Sequence, residues 1–582
     1  MADRLSLCAD YVGCCGRVSV PVSTEDVDHV VTPFVPFPDR TWPSRPRFVW
    51  QWTRRGAAVP DGRQELLLGG TVRERPSGEL AARVAAWLRH GDHHRLTELR
   101  GDHTGALVTR HAVYLFRSLF TQNTLFYRIS GDTIEWSTDP SDLAGDGLTE
   151  LDRTTIWRLC RGDNATAYPR LRRLRAGHVL VFDGRSTSDI QYDRVVPRRL
   201  PRGSSLRDYA GHAYDLLRRA TRPYAGSGRI GVMLSGGLDS AAVTTALVDA
   251  GADVTAYHVT TGDPLADESA YARAVCRHLD VPFVSVSADT GDGYLSTGWA
   301  FPNPYNHFSY RWQEQLAERV RQDGITFLAT GDDGNLLFDP VRDYGVHDFL
   351  FGRLRWAEKR QLLRGALCAR WTLPDLVRSV RRAHSLLAVG QPVGDNADPT
   401  DFLVPMPGVP DDIDERMNFE FTSIEHTADL TLFWPRGIQR CSPMADRELY
   451  RLAEGMPNAY RWFPYGGRVI DKPVLRLMLS TRLPAQVWRR YGGLWPHAPL
   501  QTFCLTHTET LAELIGSPES RLVRMNIVDP DRLAAVLDEP PAIRRNTNCL
   551  VWSAMTELFL RGLDRAPGKR GADHHAATPT RS

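Results

Sequence analysis

The residues of this chain best suited to chemistry stand together in the stretch Ser235-Gly236-Gly237-Leu238-Asp239-Ser240. An apolar run (Ile230, Val232, Met233, Leu234) precedes it and a helix-compatible run to Leu247 follows, which reads as a buried strand, a tight turn and a helix N-terminus. Paired glycines let the backbone approach a ligand closely, while free N–H groups and the positive helix end favour phosphate. Ser235 and Ser240 add hydroxyl donors. Asp239 is the odd member, because a carboxylate beside a phosphate repels it unless a divalent cation lies between them; it points to Mg²⁺. The turn has neither the Gly-Lys-Ser/Thr of a P-loop nor the Gly-x-Gly-x-x-Gly of a dinucleotide site. Taken alone, it also reads as an ordinary Gly-rich turn with a capping Asp.

Such a turn needs a sheet to hold it. From residue 206 onward the strand-like "IGVML", "VTAYHVT" and "ITFLATG" alternate with the helical "SLRDYAGHAYDLLRRATRPY", "ADESAYARAVCRHL" and "YRWQEQLAERVRQ", the pattern of a parallel sheet. Ligands of open parallel sheets sit at the carboxyl ends of strands. That places His258 and Val259, and Thr330, Gly331, Asp332, Asp333 and Asn335, beside the Ser235 turn. Residues 1 to about 200 carry short alternating segments such as "ALVTRHAVYLFRSL" and "HVLVFDG" and are expected to be mainly β. "VVPRRLPRGSS" (195–205) reads as a linker, and the chain after about 345 as largely helical.

The string Ser235 to Ser240 resembles the pyrophosphate loop of the N-type ATP pyrophosphatases, which cleave ATP between the α- and β-phosphates. "TGDDGNLLF" resembles a nucleotide-contacting segment of the asparagine synthetase family, with Asn335 where the family has a metal-binding Asp and Asp333 as a possible substitute. "GIQRCSPMADRELYRLAEGMP" resembles a third family segment through Arg440, Pro443 and Asp446, with Ile438 or Gln439 in place of its Glu. "DKPVLRLMLSTRLPAQVWRR" resembles the fourth through Lys472, Leu475, Arg476, Leu483 and Pro484. The resemblance spans roughly residues 205–490 and implies ATP and Mg²⁺ as cofactors, with formation of an acyl-adenylate and AMP and pyrophosphate as products. It implies Leu234, Ser235, Gly236, Gly237, Asp239, Ser240, His258, Val259, Thr330 and Gly331 at ATP, and Asp239, Asp333 and Asn335 at the metal. Lys472 is expected to stabilise charge developing at the α-phosphate, where an exposed helix lysine is the plain reading, and Asp332 to take the amine proton.

The first half resembles a glutamine amidotransferase domain in "LTELRGDHTGALVTR", "LFYRISGDTIEWSTDPSDLAG" and "LRRLRAGHVLVFDG". Such a domain uses an N-terminal cysteine whose α-amine serves as base. Position 2 is Ala2, the Asn-Gly-Glu motif is missing and "RSLFTQN" takes the place of the Arg-Asp-x-x-Gly turn, so no glutaminase nucleophile is expected; Cys8, Cys14 or Cys15 would need proteolytic exposure to serve. The expected fold is α/β: an N-terminal αββα (Ntn amidotransferase-like) sandwich at 1–200, a doubly wound parallel-sheet ATP pyrophosphatase domain with added helices at 201–510, a helical extension at 511–565 and a disordered tail at 566–582.

A degenerate glutaminase half beside an intact ATP site resembles the β-lactam and carbapenam synthetases and the lasso-peptide macrolactam synthetases. The chain length and the arginine- and aromatic-rich stretch 345–465 favour the latter, which implies a precursor peptide as substrate, with a leader-peptide-binding protein and a leader peptidase as partners. An asparagine synthetase, with ammonia or glutamine as nitrogen source, and a scaffold without catalysis are the other readings. The composition narrows the classes. Over 582 residues, 71 basic and 69 acidic side chains leave a net charge of +2, which gives no support to a nucleic-acid partner, and "RLRRLR" (170–175) reads as a solvated face. No apolar run reaches the roughly 20 residues of a membrane span, the N-terminus lacks a signal-peptide core, and a cytoplasmic enzyme is expected. Nine cysteines without a Cys-x-x-Cys pair are expected to be reduced thiols without structural zinc, and "HGDHH" and "DHH" to be loop and tail histidines.

Overall fold

The computed structural model describes the strands at 16–21, 31–33, 50–53 and 63–72, and residues 78–99, 101–109, 111–120, 124–137, 143, 152–162, 170–226, 228–260, 267–287, 310–338, 356, 359–360, 401–406, 428–433, 436–457, 460–465, 468–490 and 498–563. Ala2, Cys8, Cys14, Cys15, the tail 566–582 and most of the stretch 345–465 lie outside them.

The first half is a four-layer sandwich. One antiparallel sheet joins β1 (Gly16–Pro21), β4 (Arg63–Val72), β5 (Gly101–Val108), β6 (Val113–Arg117), β10 (His178–Phe182) and β11 (Thr187–Gln191) in that order. The second joins β2 (Val31–Pro33), β3 (Trp50–Thr53), β8 (Thr133–Ser137), β7 (Phe126–Ser130) and β9 (Arg172–Arg173). Alternate residues of a strand face opposite ways, and the sequence uses both faces. Val113, Leu115, Leu180 and Phe182 meet Tyr127, Ile134 and Trp136 between the sheets. Their neighbours Phe116 and Val179 face outward under α1 (Gly78–His90), which buries Val84, Trp87 and Leu88 on them. On the far side, Ile156, Trp157 and Leu159 of α2 (Arg153–Cys160) share a core with Phe126.

The second half carries the βα alternation of the sequence. Helix α3 (Leu206–Thr221) starts at a capping box in which Ser205 and Asp208 each accept the other's backbone N–H. Five parallel strands follow: β12 (Arg229–Met233), β13 (Asp253–Thr260), β14 (Phe283–Ser287), β15 (Phe327–Ala329) and β16 (Gln439–Cys441). Their order is β14-β13-β12-β15-β16, so the sheet reverses its winding between β12 and β15. A crevice opens at such a reversal, and both expected loops lie at it. Helices cover both faces. Ile230, Val232, Val254 and Ala256 pack beneath α3, α4 (Leu238–Asp249), α5 (Ser269–Leu279), α8 (Arg447–Gly455) and α9 (Pro473–Leu479), while Tyr257, Val286 and Leu328 pack against α6 (Tyr310–Gln322) and the turn at 428–433.

Two placements add to the sequence reading. The segment 195–205 is docked rather than free: Arg198 N–H donates to Arg451 O at 2.7 Å, Arg451 donates back to Val196 O at 3.1 Å, and Gly455 leaves the room that Arg198 O occupies. Proline and glycine mark the turns, but paired backbone groups fix the course. The C-terminal helices, among them Ala498–Thr506, Pro530–Asp538 and Pro540–Leu563, pack on α2 of the first half through Cys504, Leu533, Leu550 and Ala554. No helix among the described residues is long and apolar enough to cross a membrane.

Candidate active site

The loop after β12 holds itself open with its own hydroxyls. Ser235 N–H donates to Ser240 Oγ at 3.2 Å, Gly237 N–H donates to Ser235 Oγ at 3.1 Å, and the two serine oxygens are 3.0 Å apart. Gly236 stands at φ +94°, and a Cβ there would meet Glu268 O at 2.7 Å, so glycine is required twice over. Leu234 is buried beneath the loop, and Ser235 is exposed above it. Helix α4 begins at Leu238, which aims its N-terminus and Asp239 at the crevice.

The loop after β15 closes on this turn with almost no clearance. A Cβ on Gly331 would lie 2.7 Å from Ser240 N, and one on Gly334 would lie 2.3 Å from the Asp239 carboxylate. The third wall is Lys472, at the start of α9 with φ 47° and ψ 49°, a left-handed backbone that a non-glycine residue adopts at a cost of about 1 kcal/mol. Its buried side chain donates from Nζ to Asp239 Oδ2 at 2.6 Å and to Asn335 Oδ1 at 2.5 Å. Residues separated by 233 and 137 positions thus meet on one ammonium group.

Three buried polar atoms around the crevice have no protein partner: Asp239 Oδ1, His258 Nε2 and Thr330 Oγ1. Such atoms are rare in a folded chain and call for a ligand, ion or water. His258 Nδ1 lies 2.8 Å from Leu234 O, so that nitrogen carries a proton and the ring is held with Nε2 free of any protein partner. The orphaned carboxylate oxygen of Asp239, whose other oxygen shares the Lys472 ammonium with Asn335 Oδ1, fits a hard cation such as Mg²⁺, which takes few protein oxygens and completes its shell with water and phosphate. Among the described residues no group of three or more His, Cys, Asp and Glu forms a cation cage.

Not every expected residue joins this cluster. Asp333, expected as a second metal carboxylate, has both oxygens in protein hydrogen bonds: Tyr450 Oη donates to Oδ1 at 2.8 Å and Ser442 Oγ to Oδ2 at 2.9 Å. Burial raises the Asp333 carboxyl above its ordinary value, outweighing the two hydroxyl hydrogen bonds. Its φ of 68° makes it the corner of the turn. Asn335, one short step further along α7 (Gly334–Phe338), occupies the position facing Lys472. Asp332 is exposed at the crevice edge, and its carbonyl accepts from Ser442 Oγ at 2.9 Å. Val259 packs with the core on the α6 face.

The third motif supports the site without entering it. Arg440 forms a buried pair with Asp429 at 2.7 Å, and Asp446 caps α8 by accepting from Glu448 N–H and Leu449 N–H. Arg476 donates to Asp471 O, Trp488 O and Arg490 O. Sequence reasoning did not single out Arg490 or Glu268, which pair beside the loop, nor Tyr450 and Ser442. Arg490 ends the fourth resembling stretch, but nothing local to it announces a partner more than two hundred residues away. The described cysteines Cys160, Cys276, Cys441, Cys504 and Cys549 are buried thiols.

Comparison with known proteins bears on the same region. Residues 212–561 match the asparagine synthase family. No curated protein matches the chain. Solved structures similar to it include the glutamine phosphoribosylpyrophosphate amidotransferase of B. subtilis, complexed with ADP and GMP, at 10% identity over 48% of this chain and 72% of that one, with a TM-score of 0.19. A second is described as the allosteric regulatory enzyme of purine biosynthesis, at 10% identity over 50% of this chain and 58% of that one, with a TM-score of 0.17. Scores this low add nothing to the geometry. The family match covers more than half of the chain and includes the loop, the turn after β15 and Lys472: the protein belongs to the asparagine synthase family of ATP-dependent amide-forming ligases.

Proposed function

We propose that this ligase adenylates a carboxylate of a precursor peptide, releasing pyrophosphate, and that an amine of the same peptide displaces AMP to close a macrolactam ring. The single observation that carries the adenylation step is the crevice where Lys472 Nζ, Asp239 and Asn335 meet beneath the Ser235–Ser240 loop, with Asp239 Oδ1, His258 Nε2 and Thr330 Oγ1 left without protein partners. The peptide as substrate rests on the sequence, in which the glutamine-pocket motif is missing and the stretch 345–465 is rich in arginine and aromatics.

In this reading, each group has a task. The backbone of Ser235–Gly237 and the start of α4 bind the departing pyrophosphate, and the end of β13 with Thr330 and Gly331 holds the nucleoside. Mg²⁺, held by Asp239 with Asn335, would neutralise phosphate charge when bound. Lys472 is held ready by Asp239 and turns its ammonium to the α-phosphate as charge grows there. Asp332, exposed at the edge, takes the proton of the attacking amine. Ring closure depends on holding amine and acyl-adenylate together while water is excluded. The partners of this reading are a leader-peptide-binding protein and a leader peptidase, in the cytoplasm.

The test is a reaction with ATP, Mg²⁺ and a candidate precursor peptide carrying a free N-terminal amine and an acidic side chain, followed by mass spectrometry. Loss of one water from the peptide, with AMP and pyrophosphate formed in equal amounts, is expected. Asparagine formed from aspartate would replace the peptide reading with a small-molecule one, and ATP left intact under both conditions would refute the adenylation itself.

A further inference from the structure

We infer that Arg490 is a positioning residue for the pyrophosphate loop, acting with Glu268 to fix the orientation of the Gly236–Gly237 peptide. The inference rests on the adenylation reading and deepens it. Arg490 donates from Nη1 to Gly236 O at 2.8 Å and from Nη2 to Glu268, and its guanidinium lies 4.6 Å from the centre of the Tyr271 ring. Both partners of the ion pair are nearly buried, with side-chain exposures of 6% and 12%.

The geometry explains what this clamp does. In a planar trans peptide the carbonyl and the following N–H point in opposite directions. Arg490 holds the Gly236 carbonyl on the outer side of the loop, so the Gly237 N–H is turned to the inner side, where Ser235 Oγ lies 3.1 Å away. At φ +94°, Gly236 has more backbone freedom than any other residue type and would sample alternative peptide orientations without a constraint. Glu268 provides the surface beneath, since its carbonyl and Cβ stand 2.7 and 2.8 Å from where a Gly236 Cβ would be.

The anchor of the clamp is the catalytic lysine's own helix. Arg476 takes Arg490 O at 2.6 Å and Trp488 O at 2.8 Å, and Arg476 N–H donates to Lys472 O at 3.1 Å. The group that binds pyrophosphate and the group that stabilises the α-phosphate are therefore tied into one unit through two arginines. A lysine at 490 keeps the charge but not the two-direction fork that reaches carbonyl and carboxylate together.

The experiment measures binding of magnesium pyrophosphate and, separately, of AMP to the full chain by calorimetry, with melting temperatures alongside. Wild type is compared with Arg490→Ala, Arg490→Lys and Glu268→Gln. Arg490→Ala is expected to weaken pyrophosphate by about 10- to 100-fold, the scale of a lost charge-assisted hydrogen bond, and to leave AMP within about 2-fold. Arg490→Lys should fall between it and wild type, and it keeps the test in force if the alanine variant does not fold. Equal weakening of both ligands, or no weakening of pyrophosphate in the folded variants, overturns the clamp. A wild-type chain that binds neither ligand overturns the adenylation reading instead.

Discussion

Gly334 tests the crevice through a single methyl group. It opens α7, where its backbone is not left-handed, so Gly→Ala would ordinarily favour the helix by up to about 1 kcal/mol. Here the added Cβ would stand 2.3 Å from Asp239 Cγ and Oδ1 and 2.6 Å from its Cβ. Restoring a contact of about 3.4 Å demands a shift of roughly 1 Å, either of the Asp239 side chain or of α7. Either movement disrupts the 2.6 Å bond from Lys472 Nζ. Overpacking costs about 1–3 kcal/mol, so after the helix gain Gly334→Ala should lose about 0.5–2 kcal/mol of stability. A displacement of that size at a reacting centre costs about 10²-fold in rate. Gly211→Ala is the control, since this exposed residue of α3 has nothing within 4 Å of the new Cβ and should gain about 0.5–1 kcal/mol. Urea unfolding and ATP–pyrophosphate exchange measure both effects. If Gly334→Ala gains stability as Gly211→Ala does, or exchanges at the wild-type rate, the close approach of the two loops is wrong.

Further outcomes follow from the same geometry. Lys472→Ala should depress pyrophosphate exchange and ring closure alike, by about 10²–10³-fold, whereas Asp332→Asn should spare exchange and slow the second step by about 10²–10⁴-fold; quenched reactions with AMP-bearing peptide in the Asp332 variant would be the signature, and lost exchange there would make Asp332 a metal ligand. Because burial raises the Asp333 carboxyl above 3.8, the folded chain keeps a proton that the unfolded chain releases, and stability falls as pH rises from about 4 to the folded value. Asp333→Asn should remove that slope, gaining on wild type as pH rises above about 4 in urea titrations; a difference that does not vary with pH refutes it. The chain should release no glutamate from glutamine, since the Asn-Gly-Glu motif of a glutamine pocket is missing, and glutaminase activity sensitive to a thiol alkylator would reverse the reading of the first half.

Much of the site was legible because it is local. The Ser235–Ser240 turn follows from an apolar strand, two glycines and a helix start within a dozen residues, and the structure builds it with bonds between those same residues. The alternation of strands and helices placed Thr330 and His258 at strand ends, where the sheet order then brought them to the crevice. The choice between Asp333 and Asn335 was not legible. Both stand in one short turn, and which one faces Lys472 depends on Tyr450 and Ser442 drawing Asp333 to the other side.

The sequence by itself determined the chemistry available: a phosphate-binding turn, one carboxylate suited to a cation, and a lysine that a resembling motif placed near them. Tertiary structure alone decided the company those groups keep. Arg490 reaches Gly236, the C-terminal helices cover α2 of the first half, and the Pro- and Arg-rich segment 195–205 lies against α8. The reason is physical. Turn type and strand or helix periodicity are set by neighbours in the chain, whereas a contact across hundreds of residues is selected by burial and hydrogen-bond satisfaction in the packed molecule, and no local pattern records it.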